Sequence, residues 1–418
     1  MAFLDSYGLI IVFSSTIIIS YFFNLYAKKS GVPAVLMLIG LGIVIRYSLL
    51  LFGEQSLDLA RPLEVLGVIG LILIVLEAAL DLRLQKEKIG LIIKSFLVAL
   101  LGLGGTAYLI AISLGHFLHV EFLNALLYAI PLSILSSAII LPSIDDLDKE
   151  KKEFMIYEST FSDIIGIVVF YSVLTMLDSS SLEGVYGELF TNLALTVVFS
   201  IIISYMLIYV FQNIKGHVKL FLLIAILLLL YAVGKMFHLS SLLIILIFGI
   251  ILNNYKLFFK GVLTKVVRFE KVEEVLDDMK VVTGETAFVV RTFFFIIFGW
   301  SVSLGSFISF NAIGLGLLVL AIIYLVRTIA LFVVDGKNIL PQLFLAPRGL
   351  ITILLFFAIP ENLSSNSDLE GVLFFVILLS CVVMSWALIE HKKKLAAEFL
   401  DYENKSNSLE KESEIIEE

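Results

Sequence analysis

The sequence predicts an all-α polytopic membrane protein of about thirteen spanning helices, and three observations carry that prediction. Sixty per cent of the 418 residues are hydrophobic and only 16% are charged, so a soluble fold would lack the polar groups to cover its surface. Apolar runs such as Phe154 to Leu177, Glu188 to Phe211 and Ile308 to Val334 reach the roughly 20 residues that cross a bilayer core. The basic residues alternate between the two sides that such spans would define. With the N-terminus outside, 22 Lys and Arg fall in cytoplasmic pieces, two outside (Arg61 and Lys235) and five within spans. That ratio supports an odd number of spans and a cytoplasmic C-terminus.

Turn residues and charge clusters place the spans at about 7–26, 33–52, 63–81, 89–114, 122–144, 154–177, 188–211, 219–236, 239–258, 284–304, 308–334, 341–360 and 371–390. Together they make one transmembrane unit over 1–390. The cytoplasmic connection 260–283 carries Val266, Phe269, Val272, Val275, Leu276 and Met279 at helical spacing. It reads as an amphipathic helix lying against the membrane surface. The tail 391–418 is rich in Glu, Lys, Ser and Asn, supplies much of the net charge of −8, and reads as solvated, with a composition that favours disorder. An acidic balance of this kind does not point to nucleic acid. Cys381 is the sole cysteine and the five His are scattered, so neither a disulfide nor a cysteine or zinc cluster is expected.

Two spans contain helix breakers at comparable places in the two halves. The fifth holds Pro131, Ser133, Ser136, Ser137 and Pro142; the twelfth holds Pro341, Pro347, Arg348 and Gly349. Interrupted backbone at membrane depth is tolerated only where the freed groups face protein or a wet cavity. A matched pair of interruptions is the best sequence pointer to a transporter binding site, although either alone could be an ordinary proline kink.

Ionisable groups inside spans are costly and by default functional. Asp81, Lys94, Glu285 and Arg46 lie close enough to span ends to snorkel. Glu77, Glu158, Asp163, Arg291, Arg327 and Arg348 remain. The densest group is Tyr157-Glu158-Ser159-Thr160-Phe161-Ser162-Asp163, where Ser159 and Asp163 stand four apart on one helix face, as do Glu158 and Ser162. A dehydrated alkali cation needs hard oxygen ligands and a compensating negative charge, which Asp163 with Ser159 can supply. Glu158, on a neighbouring face, needs a cation partner to remain ionised in the interior; Arg327 is the first candidate and Arg291 the second. Arg348, at the second interruption, suits the carbonyl end of a half-helix, and Glu77 is placed to reach a cavity through water.

These residues resemble a family. Leu76-Glu77-Ala78-Ala79-Leu80, the interrupted fifth span, Glu158-Ser159 followed by Ser162-Asp163, Arg291-Thr292-Phe293-Phe294-Phe295, Arg327 and Pro347-Arg348-Gly349-Leu350 stand in the order found in monovalent cation:proton antiporters, most like the sodium/proton exchanger branch. The likeness runs from Pro33 to about Glu390. It implies thirteen helices in two inverted repeats, crossed broken helices in a mobile core, and a homodimer held by the remaining helices. It implies Asp163 as the ion-carrying acid with Ser159 as co-ligand, and Ser162, Ser136, Ser137 and Glu77 as further members of the ion- and proton-binding set. Glu158 and Arg327 would form a buried ion pair, and Arg348 would be the arginine of the second broken helix.

The exchanger branch has Asn where Ser162 stands and Thr-Asp where Ser136-Ser137 stand. The second departure is closer to the potassium/proton branch, so sodium, potassium and lithium are all open. The expected activity is electroneutral exchange of such a cation for a proton by alternating access. A bacterial or archaeal cytoplasmic membrane is the expected setting, with transported ions as substrates and no cofactor. A cation channel, or an organic-anion transporter that holds a carboxylate with Arg348 and Arg291, are the alternatives. No phosphate-cradling Gly-rich loop occurs, which speaks against an ATP-driven pump, and nothing in the pattern suggests an enzyme.

Overall fold

The computed structural model describes residues 6–51, 60–178, 182–213, 219–236, 241–260, 267–301, 310–336, 339–360 and 367–417. Val266, Lys215 and Lys337, and the span limits at 52, 239–240, 302–304 and 308–309, lie outside the described residues.

The described helices of eight residues or more are α1 (Ser6–Ser30), α2 (Ala34–Leu51), α3 (Ala60–Asp81), α4 (Ile89–Leu118), α5 (Phe122–Ser133), α6 (Lys149–Asp178), α7 (Leu182–Phe211), α8 (Lys219–Met236), α9 (Ser241–Asn253), α10 (Phe269–Ser301), α11 (Phe310–Asp335), α12 (Leu350–Phe357) and α13 (Ser367–Glu417). No strand occurs among the described residues. Eight segments are long and apolar enough to cross a bilayer, in α1, α4, α5 with its continuation, α6, α7, α10, α11 and α13; shorter apolar helices lie in α2, α8 and α9. Large side chains facing outward, such as Ile10, Phe22, Ile93, Ile202, Leu325 and Val333, are what lipid rather than water would solvate.

Helix contacts sort into two groups. In one, α4 packs on α5, α6 and α11, α5 on α6 and α12, and α11 on α13; in the other, α10 packs on α2 and α3, and α9 on α3, α7 and α8. The triplets α4–α5–α6 and α11–α12–α13 share one pattern: an unbroken helix, an interrupted one, an unbroken one. The two groups meet where α3 and α9 touch α6 and where α3 touches α12.

Contact between α2 and α10 is close because glycines face backbone. A Cβ added at Gly42 would overlap the Ile296 carbonyl, and one at Gly299 would overlap the Ile39 carbonyl. Neither obstacle is a flexible side-chain tip, so relief requires the helices to separate. Gly42→Ala and Gly299→Ala are each expected to lower folded yield and melting temperature, by about 1–3 kcal/mol in stability where folded protein is obtained. Gly40→Ala, whose Cβ would meet open space, is the control and should melt as the parent does.

Two sequence expectations are corrected here. The amphipathic stretch does not lie on a membrane surface apart from the spans: from Phe269 it is the first part of α10, the helix that also forms the tenth span. Its stripe Val272, Val275, Leu276 and Met279 is buried, with Val272, Val275 and Met279 against Ile208, Phe211 and Leu252 at the ends of α7 and α9. The helical period passes through Thr283 without a breaker other than Gly284, so nothing separates the two pieces. The acidic tail, in turn, continues α13 to Glu417. From Val372 onward the segment holds neither Pro nor Gly, and a helix already nucleated by the span propagates readily through residues of this propensity.

Candidate ion-binding site

The two interruptions lie against each other. α5 ends at Ser133 two residues after Pro131, which has no N–H to continue the ladder, and the chain runs extended through Ile134 and Ser136 before the helical turn Ser137–Ile140. In the second, a 3-10 turn at Gln342–Phe344 gives way to non-helical residues 345–349 before α12 begins at Leu350. Backbone groups freed by one break are satisfied by the other: the Ser136 N–H donates to the Pro347 carbonyl at 3.0 Å, and Arg348 Nε donates to the Leu132 carbonyl at 2.6 Å. Gly349 gives this crossing room, since a Cβ there would overlap Ser136 Oγ and Ile139 Cδ1 and make those side chains shift.

Arg348 is 3% exposed and its remaining bonds are also to the framework. Its N–H donates to Ser380 Oγ at 3.1 Å and its Nη1 to the Ala346 carbonyl at 3.1 Å. It therefore ties α5, the second break and α13 together, holding a positive charge among carbonyl ends that carry partial negative charge.

Beside the crossing, α6 presents its polar stretch. Ser162 Oγ accepts the Leu135 N–H at 2.9 Å, and Asp163 Oδ2 accepts the Ser137 N–H at 3.3 Å. Asp163 is only 2% exposed, and its Oδ1 has no hydrogen-bond partner. Ser159, fully buried, donates to the Met155 and Ile156 carbonyls at 2.8 and 3.3 Å, which leaves its oxygen lone pairs for a ligand. Ser136 Oγ is likewise buried without a partner. One free carboxylate oxygen, with the Ser159 hydroxyl one helical turn earlier and the Ser136 hydroxyl next to the residue that donates to Asp163, is a donor set that suits an alkali cation or a proton. Among the described residues no group of three or more His, Cys, Asp or Glu could hold a metal ion of higher charge.

Glu158 and Arg327 are brought together. Nη1 and Nη2 reach Oε1 and Oε2 at 2.6 and 3.1 Å, a two-pronged pair with the side chains 2% and 8% exposed. Arg327 also donates to the Gln342 and Leu343 carbonyls at 2.8 to 3.1 Å. Arg291, the second candidate for Glu158, pairs instead with Glu77 at 3.3 Å. The reason is placement: Glu77 and Arg291 are on the adjacent helices α3 and α10, both partly accessible at 25% and 20%.

A crevice of about 310 Å³ adjoins this region. It is lined by Ala27 of α1, by Glu77, Ala78 and Asp81 of α3, by Arg291, and by Ser137, the residue whose N–H donates to Asp163. Asp163 itself, with Val75, Ala78 and Ile351, lines a separate void of about 10 Å³, room for roughly one water.

Sequence reasoning passed over Gln342 and Ser380, whose contributions to the arginines depend on tertiary contact between distant segments. It also gave no role to Thr160, which lies within the polar stretch Tyr157 to Asp163.

Two helix breaks bonded to each other, a buried carboxylate with a free oxygen, and a crevice lined by the residue that donates to it are features suited to a secondary transporter of a small cation. The chain belongs to the sodium/hydrogen exchanger family, whose transmembrane region is matched over residues 13–389. It is similar in fold to the sodium proton antiporter MjNhaP1 from Methanocaldococcus jannaschii in a structure at pH 8, with a TM-score of 0.68 at 21% identity over 91% of this chain and 97% of that one. A second structure of MjNhaP1, from electron microscopy, gives 0.66 at 19% identity over 93% and 98%. No curated protein matches the chain. Membership makes it a transporter that exchanges a monovalent cation for protons, and the channel alternative is not favoured. The organic-anion alternative also loses its two cations, because Arg348 is spent on carbonyls and Arg291 on Glu77.

Proposed function

We propose that Asp163 is the carrier, binding either a proton or a partly dehydrated sodium, potassium or lithium ion, and that the group containing α4–α6 and α11–α13 crosses only when that charge is satisfied. The observation that carries this is the Oδ1 atom, buried beside the helix crossing with no protein partner. Ser159, Ser136 and Ser162 supply oxygens around it, Ser137 orients the carboxylate, and Glu77 reaches the ion through the crevice. Because the crevice is lined by Ala27, which precedes Lys28 and Lys29, and by Asp81, which precedes Arg83, it opens to the cytoplasm in the orientation that basic residues favour. The apolar outer faces of the other group suit a homodimer in a prokaryotic cytoplasmic membrane.

Glu158 is neutralised by Arg327 and Glu77 by Arg291, and Asp81 is exposed at the end of α3, so among these acids Asp163 is the buried one left to alternate between the two ions. Exchange is therefore one cation for one proton and carries no net charge. Dye-reported proton flux in proteoliposomes, scanned over sodium, potassium and lithium, should saturate with at least one of them. Under an imposed potential of 100 mV, which acts on one transported charge with about 2.3 kcal/mol, the rate should be unchanged. A rate that follows the potential would require a second titrating acid.

A further inference from the structure

Buried hydroxyls on helices have a default partner, the carbonyl four residues earlier. In this protein Ser133, Ser159, Ser200, Ser204 and Ser385 all take it. Thr160, like Ser95, Ser241 and Thr352 on other helices, does not: it is fully buried on α6 and its Oγ1 has no hydrogen-bond partner. A buried hydroxyl left unmatched costs on the order of 1–3 kcal/mol, and of these four only Thr160 shares a helix with Asp163. Thr160 is three residues before Asp163, a spacing that puts two Cβ atoms about 5–6 Å apart on one helix face. The next residues along that face, Ile164 and Ile167, line the small void with Asp163. Ala78 borders both that void and the large crevice, so this face of α6 adjoins the boundary between them.

Two buried oxygens without protein partners, Thr160 Oγ1 and Asp163 Oδ1, thus stand one turn apart on α6, on the face whose Asp163, Ile164 and Ile167 line the small void with Val75 and Ala78 of α3. We propose that Thr160 is a further ligand of the transported cation, its hydroxyl oxygen replacing one water of hydration as the ion passes from the crevice to Asp163. This rests on the assignment of Asp163 as carrier and adds a residue that sets affinity and discrimination among the alkali ions. A neutral hydroxyl binds the metal ion through a lone pair and gives the bound proton nothing comparable. Removing it therefore weakens the cation arm of the cycle and leaves the proton arm intact.

The test uses the full chain in proteoliposomes, with sodium, potassium and lithium chloride as probes. Thr160→Val, which keeps shape and loses the oxygen, is expected to raise the half-saturating concentration of the preferred cation about tenfold, the worth of one polar contact to a charge. Its rate at saturation should stay within about twofold of the parent, and the ratio among the three cations should change, because removing uniform binding alters KM and not kcat. Thr160→Ser should behave as the parent does. If the valine variant gives no folded protein, Thr160→Cys, with a soft sulfur that is a poor ligand for a hard ion, carries the same expectation. Unchanged half-saturation for all three cations in the valine or cysteine variant would overturn the proposal, as would a serine variant impaired as much as the valine one. Asp163→Asn in the same vesicles reports separately on the carrier: flux surviving there would remove the assignment on which Thr160 depends.

Discussion

Asp163→Asn is expected to abolish cation-driven proton flux, down to the leak of protein-free vesicles, while leaving the protein folded. The substitution keeps the shape of the side chain and its acceptor for the Ser137 N–H, so the crossing of the broken helices has no reason to move. What it removes is the negative charge and the proton site together, and without either the site can carry neither ion. Stability should not fall, because the parent buries an ionisable carboxyl with one oxygen unmatched, an arrangement that costs more than a neutral amide of equal volume. Thermal melting in detergent and dye-reported flux on the same preparation check both halves. Titration of the parent with cation adds the sign of the coupling. Where proton and cation compete for one carboxylate, each unit of falling pH on the acid side raises the half-saturating cation concentration about tenfold, by mass action. Residual saturable exchange in the asparagine variant would place the carrier elsewhere.

Much of this geometry was legible in the sequence for a definite reason. In a bilayer every backbone group must be satisfied internally, so helix breakers and charges are conspicuous against an apolar background. Pro131 with Ser136 and Ser137, and Pro347 with Arg348 and Gly349, could be recognised as interruptions before their mutual hydrogen bonds were seen. Helical spacing alone put Ser159 and Asp163 on one face. What could not be read was anything that depends on which distant helices adjoin. Arg291 is a plausible partner for Glu158 along the sequence, and only the packing of α3 on α10 delivers it to Glu77. Thr160 differs from Ser159 by one position, and only its burial without a partner separates it from an ordinary helix hydroxyl. The amphipathic stripe before Thr283 showed its period but not its destination, since membrane surface and helix ends offer equally apolar cover.

Glu158→Gln is expected to destabilise the protein by about 3–5 kcal/mol, the usual cost of stranding one member of a buried ion pair. Arg327 is fixed by more than its partner: the Gln342 and Leu343 carbonyls also hold it, so it cannot swing to water when the carboxylate is lost. The stranded guanidinium lies between α6, α11 and the turn before the second break, which are the elements that keep the crossing in register. Melting temperature should therefore fall sharply in the single variant, and Arg327→Gln should behave similarly by stranding Glu158. Removing both charges in a Glu158→Gln, Arg327→Gln double variant should recover part of the loss, since neither unpaired charge is then buried and the coupling between the two sites is measured directly. If either single variant melts as the parent does, the pair contributes nothing to the fold. The double variant also separates architecture from transport. Should it regain stability and exchange together, the pair acts by holding α6 against α11; stability regained without exchange would mean that the charges steer the ion at Asp163 as well.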